Sequence, residues 1–193
     1  MTRLHLVRHG PTHAKTIVGW SDLPADLSDQ AALAHISAHL PDQAVLVSSD
    51  LSRAIATADA IQGARSRLPH DPALREMHFG TWELRAYAEI EAEDSHLIRA
   101  FWDEPGDVRP PGGESWNTLI QRVNPAIDRL VANHLGQDII VVAHFGTILS
   151  QLQRAKDLTP YKAFGHRIEH LSVTEILFDD KNGWQVGGIN RRP

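Results

Sequence analysis

The chain has 193 residues, of which 42% are hydrophobic, and it carries 19 lysines and arginines against 24 aspartates and glutamates. This length fits one domain, and the apolar fraction is large enough to bury a core without disulfides or a structural metal. The chain has no cysteine, which excludes disulfides, cysteine-ligated zinc, iron–sulfur clusters and a cysteine nucleophile. The net charge of −5 argues against a nucleic-acid partner, because domains that bind nucleic acids are usually basic.

No segment has the features of a membrane span or of an export signal. The first ten residues lack the long apolar stretch of a signal peptide, and the longest uninterrupted apolar run is Ile139–Ala143. We therefore expect a cytoplasmic protein with no membrane partner.

Strand-like and helix-like patterns alternate along the chain. Apolar runs predict strands at Leu4–Val7, Val45–Val47 and Ile139–Val142. The second and third runs show no polar alternation, which is typical of strands that helices cover on both faces. Helical spacing predicts helices over Ser28–Leu40, which a serine begins and a proline follows, and over Ser52–Ile61.

The longest helical pattern begins at about Ser115, and its apolar residues recur at helical spacing as far as Val131. Pro125 lies inside this pattern and predicts a kink or a break, because proline has no N–H to donate. Gly136 is the expected C-cap.

The end of the chain has the pattern of a hairpin, with strands at Ser172–Phe178 and Trp184–Ile189 around a turn at residues 179–183. Together, these elements predict an α/β fold, a three-layer αβα sandwich with a mostly parallel sheet, helices on both faces and the hairpin at one edge. An exposed edge strand can pair with a second copy, so a homodimer is one expectation for the assembly.

Residues 84–114 do not fit this alternation, because they begin with a helical pattern and end in a loop rich in proline and glycine. We expect them to form a cap-like insertion over one end of the sheet that controls access to a site there. The whole chain, residues 1–193, is expected to form a single domain.

The residues that follow the predicted strands carry groups suited to bind an anion. Ligands of open α/β sheets bind at the carboxyl ends of the parallel strands. Arg8 and His9 follow the first strand, Arg53 follows the second within a few residues, and His144 follows the third. The topology therefore predicts that two arginines and two histidines gather at one place.

Arg53 lies in the first turn of a predicted helix. A cation in that position opposes the helix dipole unless it holds an anion beside the helix N-terminus. The alternative is an ordinary ion pair with Asp50 or Asp59. The two other strand ends favour the anion site.

Five segments, in this order, resemble the motifs of the histidine phosphatase (phosphoglycerate mutase-like) superfamily. They are Leu6–Gly10 followed by Thr12, Ser49–Ala58, Leu74–Glu83, Pro111–Ser115 and Val141–Gly146. The resemblance covers the chain from about residue 4 to residue 150, and the Pro-Gly-Gly-Glu-Ser loop is similar to one in the small phosphatase branch.

The resemblance implies a reaction without a metal or cofactor. His9 would be the nucleophile that takes the phosphoryl group, and Arg8, Arg53 and His144 would clamp the phosphate oxygens. Two guanidinium groups and an imidazole can supply the charge that a metal ion supplies elsewhere. His9 has to be neutral at the attacking nitrogen, and a carbonyl that accepts from its other nitrogen would fix that tautomer.

Glu76 would be the general acid for the leaving alkoxide and then the base for the attacking water. For this role its pKa has to be raised by burial, against the pull of the arginines. Glu83 is the second choice for the acid.

Further residues are expected to contact the substrate. These are Thr12, Lys15, Phe145 and Trp20, with Trp102 as a second aromatic wall and His78 as a further lining residue. Two of them depart from the family's pattern, since Lys15 stands where many relatives have asparagine, and Phe145 where a glycine is frequent.

Histidine pairs four residues apart, at His35 with His39 and His166 with His170, suggest a metal site, but no carboxylate or third histidine at a suitable spacing completes one. We expect no metal site, and we interpret His5, which lies between two leucines, as structural.

Three functions remain open. The first is a phosphomonoesterase acting on a small phosphorylated metabolite, such as α-ribazole phosphate or a sugar phosphate, or with broad specificity. The second is a phosphoglycerate mutase, which the short chain disfavours because mutases of this type are generally longer. The third is a catalytically weak module that binds phosphoanions, which the complete set of catalytic residues disfavours.

Overall fold

The computed structural model describes residues 1–193 as a six-stranded sheet with six α-helices. The strands are β1 (Thr2–Arg8), β2 (Val45–Ser48), β3 (Ser66–Arg67), β4 (Asp138–Ala143), β5 (Val173–Asp179) and β6 (Gly183–Arg191). The helices are α1 (Gln30–His39), α2 (Ser52–Ile61), α3 (Tyr87–Asp103), α4 (Trp116–Asn133), α5 (Phe145–Lys156) and α6 (Pro160–Phe164). Among these helices, none combines the length and the apolar character that crossing a membrane requires.

The strands lie in the order β3-β2-β4-β1-β5-β6. The first four are parallel, and the antiparallel pair β5 and β6 forms one edge. The predicted αβα fold with a mostly parallel sheet and an edge hairpin is therefore confirmed. Strand β6 leaves an open edge, where the homodimer stays a prediction.

The register of the parallel strands brings the predicted site residues together. Arg8 at the end of β1 lies beside Ala143 at the end of β4, and Ser48 at the end of β2 lies beside Val142. The residues that follow these three strands, which include His9 and His144, consequently emerge at one edge of the sheet.

Both faces of the sheet are apolar because helices cover both. Leu6 and Val141 point into a core formed with α3, α4 and α5, whereas Val7 and Val142 point into a core formed with α1 and α2. This double coverage explains why β2 and β4 lack polar alternation.

Two helix boundaries differ from the sequence prediction, and of the kink or break expected at Pro125 the break is absent. Helix α1 begins at Gln30 rather than Ser28, because the Asp29 carboxylate accepts from the Ala32 amide at 3.0 Å and caps the helix. Helix α4 continues unbroken through Pro125, since its apolar side is held in the core on both sides of the proline. It ends at Asn133 with His134 as its C-cap, so Gly136 is not the C-cap.

The predicted cap region contains α3 and the loop that follows it. Ile90, Ile98 and Phe101 of α3 are buried in the same core as α4 and α5. The helix is interrupted at Asp94, which has φ −145° and ψ 78°. Residues 87–103 are thus anchored on the sheet's own core and extend from it towards the carboxyl ends of the strands.

Arg65 ties the ends of two helices together. Its buried guanidinium donates to the carbonyls of Ser37 and Leu40 at 2.7 Å, at the end of α1, and to that of Ile61 at 2.9 Å, at the end of α2. These are carbonyls that helix termini leave without a partner inside the helix. One side chain therefore satisfies the last turns of both helices that cover this face.

Replacing Arg65 with methionine is expected to lower the free energy of unfolding by about 2–4 kcal/mol, because several buried carbonyls lose their donor. Urea unfolding measures this change. The matched control is Arg99→Met, which removes an exposed ion pair with Glu91 and should cost less than about 1 kcal/mol. Equal losses in the two variants would contradict this role of Arg65.

Candidate active site

A cavity of about 240 Å³ opens at the carboxyl ends of β1, β2 and β4. Most of the residues that the sequence singled out border it: Arg8, His9, Thr12, Arg53, Glu76, Trp102 and Phe145. The predicted site residues therefore gather around one cavity.

His9 is buried and held with one ring nitrogen unprotonated. Its Nδ1 lies 2.7 Å from the carbonyl oxygen of Gly10, so Nδ1 carries the proton and donates it there. Its Nε2 accepts from Nε of Arg53 at 3.3 Å. Burial, followed by the charge of Arg53, holds the pKa of His9 well below its usual value. His9 is thus neutral, with the lone pair on Nε2.

The Gly10 amide, in turn, donates to Oγ1 of Thr57 in α2 at 2.9 Å, and this hydroxyl donates to the Arg53 carbonyl at 2.7 Å. The loop that carries His9 is therefore fixed to the helix that carries Arg53. This link keeps the distance between the two side chains constant.

Arg53 is fully buried in the first turn of α2. Its terminal nitrogens donate to the carbonyls of Ser21 at 2.9 Å and Gly19 at 2.5 Å. The alternative of an ordinary ion pair is wrong, because Asp50 pairs with Arg75 and Asp59 with Arg67. A buried cation that has only neutral hydrogen-bond partners is suited to hold an anion.

Arg8 completes the cationic side of the cavity. Its Nη1 donates to the carbonyl of Ile168 at 2.6 Å, and its guanidinium lies 5.3 Å from the centre of the Phe145 ring. Its Nε is buried and has no acceptor in the protein. Arg8 therefore has a donor available for a bound anion.

His144 is completely buried beside His9, with 5.0 Å between the ring centres. It does not border the cavity as the predicted phosphate contact would. Its Nε2 lies 2.6 Å from Oγ of Ser49, and its Nδ1 has no partner in the protein. Burial, with the nearby His9 and Arg53, holds the pKa of His144 well below its usual value.

Ser49 holds the ring of His144 in place through the hydrogen bond between Oγ and Nε2. Replacing Ser49 with alanine is expected to lower kcat roughly tenfold, the effect of losing one well-placed hydrogen bond. The rate of phosphate release measures this loss. Ser49→Thr should keep kcat close to that of the unmodified protein, because threonine retains the hydroxyl. An equal loss of kcat in both variants would indicate that Ser49 has a packing role instead.

The side chain of Glu76 packs against the amino end of α5. Its carboxylate accepts from the Gly146 amide at 3.0 and 3.1 Å and from the Met77 amide at 2.9 Å. A side chain on Gly146 would come within 2.5 Å of this carboxylate, so only glycine fits there. Burial raises the pKa of Glu76 despite these amides and the nearby Arg8 and Arg53. This is the direction that the sequence predicted.

Glu83, the second choice for the acid, has a different role. Its carboxylate accepts five hydrogen bonds, from the amides of Gly19, Trp20, Ser21 and Phe79 and from the hydroxyl of Ser21. Burial alone would raise its pKa, but these donors outweigh burial and place the pKa below the usual value. Glu83 remains ionised and holds the loop whose carbonyls bind Arg53.

Trp20 does not line the cavity, which corrects the expectation that it contacts the substrate. Its indole N–H donates to the backbone carbonyl of Glu76 at 2.7 Å. The guanidinium of Arg75 lies 4.7 Å from the centre of its ring, and the His78 ring centre lies 4.8 Å away. Trp20 therefore positions the segment that carries Glu76.

Two other expected contacts also lie elsewhere. Lys15 is exposed and does not border the cavity, although Ala14 and Thr16 on either side of it do. His78 packs against Trp20 and is likewise absent from the lining. Neither residue is positioned as a substrate contact.

His170 borders the cavity but was not predicted as a site residue. Its Nδ1 lies 3.0 Å from the carbonyl oxygen of His9. It comes just before β5, which runs antiparallel to β1, so the amino end of β5 lies at the same edge as the carboxyl end of β1. Inspecting the start of the edge hairpin, as well as the ends of the parallel strands, would have found it.

The chain resembles known proteins along almost its whole length. A family model for the histidine phosphatase superfamily (branch 1) matches residues 4–191. The adenosylcobalamin/α-ribazole phosphatase of Salmonella typhimurium is 32% identical over 174 residues, which cover 86% of this chain and 86% of that protein. The phosphoglycerate mutase-like protein 4 of Arabidopsis thaliana is 30% identical over 190 residues, 94% of this chain and 81% of that protein.

Solved structures agree with these matches. The YhfR protein of Bacillus stearothermophilus has a TM-score of 0.90 at 27% identity and covers 98% of this chain and 97% of its own. A mycobacterial glucosyl-3-phosphoglycerate phosphatase has a TM-score of 0.86 at 25% identity, with 99% of both chains covered. The chain also spans 44% of the length of three proteins from Mycobacterium bovis and Mycobacterium tuberculosis to which it is 32% identical over 170 residues. On the match to the family model, the chain belongs to the histidine phosphatase superfamily.

Proposed function

We propose that this protein hydrolyses phosphomonoesters of small metabolites through a phosphohistidine intermediate on His9, without a metal ion. The observation that carries the proposal is the state of His9, whose Nδ1 donates to Gly10 while its Nε2 lies 3.3 Å from Nε of Arg53. A neutral imidazole nitrogen beside a buried cation is what attack on a phosphate dianion requires.

In the first step, Nε2 of His9 attacks the phosphorus atom and the bond to the ester oxygen breaks. The departing oxygen takes a proton from Glu76, so the alcohol leaves neutral and Glu76 becomes a carboxylate. In the second step, this carboxylate takes a proton from water, whose oxygen attacks the phosphorus. The bond between phosphorus and nitrogen breaks, and inorganic phosphate, neutral His9 and protonated Glu76 result.

The charge that develops on the phosphoryl oxygens has two arginines at the cavity to stabilise it. Arg8 has a buried Nε without an acceptor in the protein, and Arg53 has neutral carbonyls as its other acceptors. His144, predicted as a third donor, is buried beside His9 and does not border the cavity. Donors fixed in a buried site stabilise a developing negative charge without reorganising at the moment of reaction. The hydroxyl of Thr12, which borders the cavity, and the ring of Phe145 would contact the bound ester.

The substrate is a small phosphorylated metabolite, in the range of α-ribazole phosphate and sugar phosphates. The similarity to the α-ribazole phosphatase and to the glucosyl-3-phosphoglycerate phosphatase supports this range. The similarity to a mutase-like protein favours one second candidate, a phosphoglycerate mutase that returns the phosphoryl group to another hydroxyl. Phosphatase and mutase differ in which nucleophile reaches the intermediate.

The test is phosphate release from a panel of phosphomonoesters in EDTA, run beside an assay for the isomerisation of 3-phosphoglycerate. Release in EDTA supports the metal-independent phosphatase. Isomerisation without release would assign the protein to the mutases, and no turnover in either assay would leave a module that binds phosphoanions.

A further inference from the structure

The cavity has an apolar wall that the phosphoryl chemistry does not use. Ile17 and Val18 contribute to it from the loop after β1, Phe79 from the segment after Glu76, and Trp102 from α3. Phe145 at the start of α5 closes the wall on the side of Arg8. These side chains come from four separate parts of the chain and face one space.

Trp102 is the largest member of this wall. Its ring packs edge-on against Phe101, with 4.9 Å between the ring centres, and it lies 5.9 Å from Phe164. Its indole N–H is buried and has no acceptor in the protein.

The cations that border the cavity are the two arginines that would bind the phosphoryl group. Arg8 and Arg53 are the arginines that border it, both beside His9, and no lysine does. Both arginines are required by the phosphoryl group itself. A second anionic group on the substrate, such as a carboxylate or another phosphate, would therefore lose its water against apolar side chains without gaining a cation.

Resting on the proposed phosphatase function, we propose that this site selects phosphomonoesters whose alcohol portion is uncharged and largely apolar. The apolar wall makes the selection, through its members Val18, Phe79 and Trp102 in particular. An apolar alcohol portion buries its surface against this wall. An aromatic group gains further from edge or stacked contacts with Trp102.

The test compares kcat/KM for three phosphate esters of primary or secondary alcohols: 3-phenylpropyl phosphate, glycerol 3-phosphate and 3-phosphoglycerate. The alcohol portion of the first ester is apolar, that of the second is polar and uncharged, and that of the third carries a carboxylate. We expect the highest kcat/KM for 3-phenylpropyl phosphate and the lowest for 3-phosphoglycerate, with a difference of roughly a hundredfold. This is the combined effect of burying one apolar group and of burying one charge without a cationic partner. Equal or better hydrolysis of 3-phosphoglycerate would overturn the proposal, whereas no release from any of the three would overturn the phosphatase function itself.

Two variants locate the selection. Trp102→Ala should lower kcat/KM for 3-phenylpropyl phosphate about tenfold more than for glycerol 3-phosphate, since one aromatic contact is lost. The matched control is Trp184→Ala, which removes a tryptophan that stacks on Arg154 at the sheet edge and should leave this ratio as it is. An unchanged ratio in Trp102→Ala would overturn the role of the wall.

Val18→Arg keeps the proposal testable if the Trp102 variant does not fold. It places a cation in the apolar wall, so hydrolysis of 3-phosphoglycerate should rise about tenfold relative to 3-phenylpropyl phosphate. A relative rate that does not rise would show that charge at this wall does not govern the choice of substrate.

Discussion

Replacing His9 with alanine is expected to abolish phosphate release, with a fall in kcat of roughly 10⁴-fold or more, as is usual when a nucleophile is lost. The variant should still bind inorganic phosphate, because Arg8 and Arg53 remain at the cavity. Two measurements check this prediction: phosphate release at saturating substrate, and the rise in melting temperature that added phosphate produces. Turnover close to that of the unmodified protein would remove His9 from the chemistry.

His170 provides the matched control for this substitution. It is a second histidine at the cavity, with its ring centre 5.3 Å from that of His9, and its Nδ1 holds the His9 carbonyl. Its alanine variant should keep measurable turnover, with a loss of about tenfold from the missing hydrogen bond. If His170→Ala were as inactive as His9→Ala, any change in this cluster would abolish activity, and the assignment of the nucleophile would fail.

Replacing Glu76 with glutamine is expected to lower kcat by roughly 10²–10⁴-fold for alkyl phosphates, the range for losing a general acid. The loss should be much smaller for p-nitrophenyl phosphate, because its leaving group departs without a proton. The amide keeps the size of the side chain, so folding is preserved. Equal losses for both substrates would indicate that Glu76 does not donate the proton.

The same variant separates the two ionisations of the site. Burial lowers the pKa of His9 well below its usual value, so the nucleophile stays neutral at acidic pH where an ordinary histidine is protonated. Burial raises the pKa of Glu76, and the first step needs its protonated form. kcat/KM should therefore persist at mildly acidic pH and fall as pH rises through the pKa of Glu76. Glu76→Gln should remove this fall in kcat/KM at higher pH. A fall that persists in the variant would come from the ionisation of another group.

The sequence was most informative where local pattern and topology coincide. Arg8, His9 and His144 follow strands whose parallel register brings their ends level, so the cluster follows from the topology alone. The position of Arg53 was also predictable, because a buried cation in a first helical turn is unfavourable without an anion. In each case, the physical cause acts within one element or between neighbouring strands.

The errors concern contacts between segments that are distant in the chain. Trp20 was expected at the substrate, but its indole N–H reaches the Glu76 carbonyl, a contact that no local spacing indicates. Glu83 and Glu76 were ranked by motif alone, and only the amide donors around each show which one stays ionised. His170 was missed because it precedes an antiparallel strand, where the amino end rather than the carboxyl end meets the site.

Trapping the phosphorylated intermediate tests whether His9 carries the phosphoryl group. The protein is mixed with a phosphomonoester, quenched in alkali within the first turnover and digested, and the peptides are analysed by mass spectrometry. We expect one added phosphoryl group on His9 that is stable in alkali and lost in acid. Turnover without this adduct, or an adduct on another residue, would contradict it.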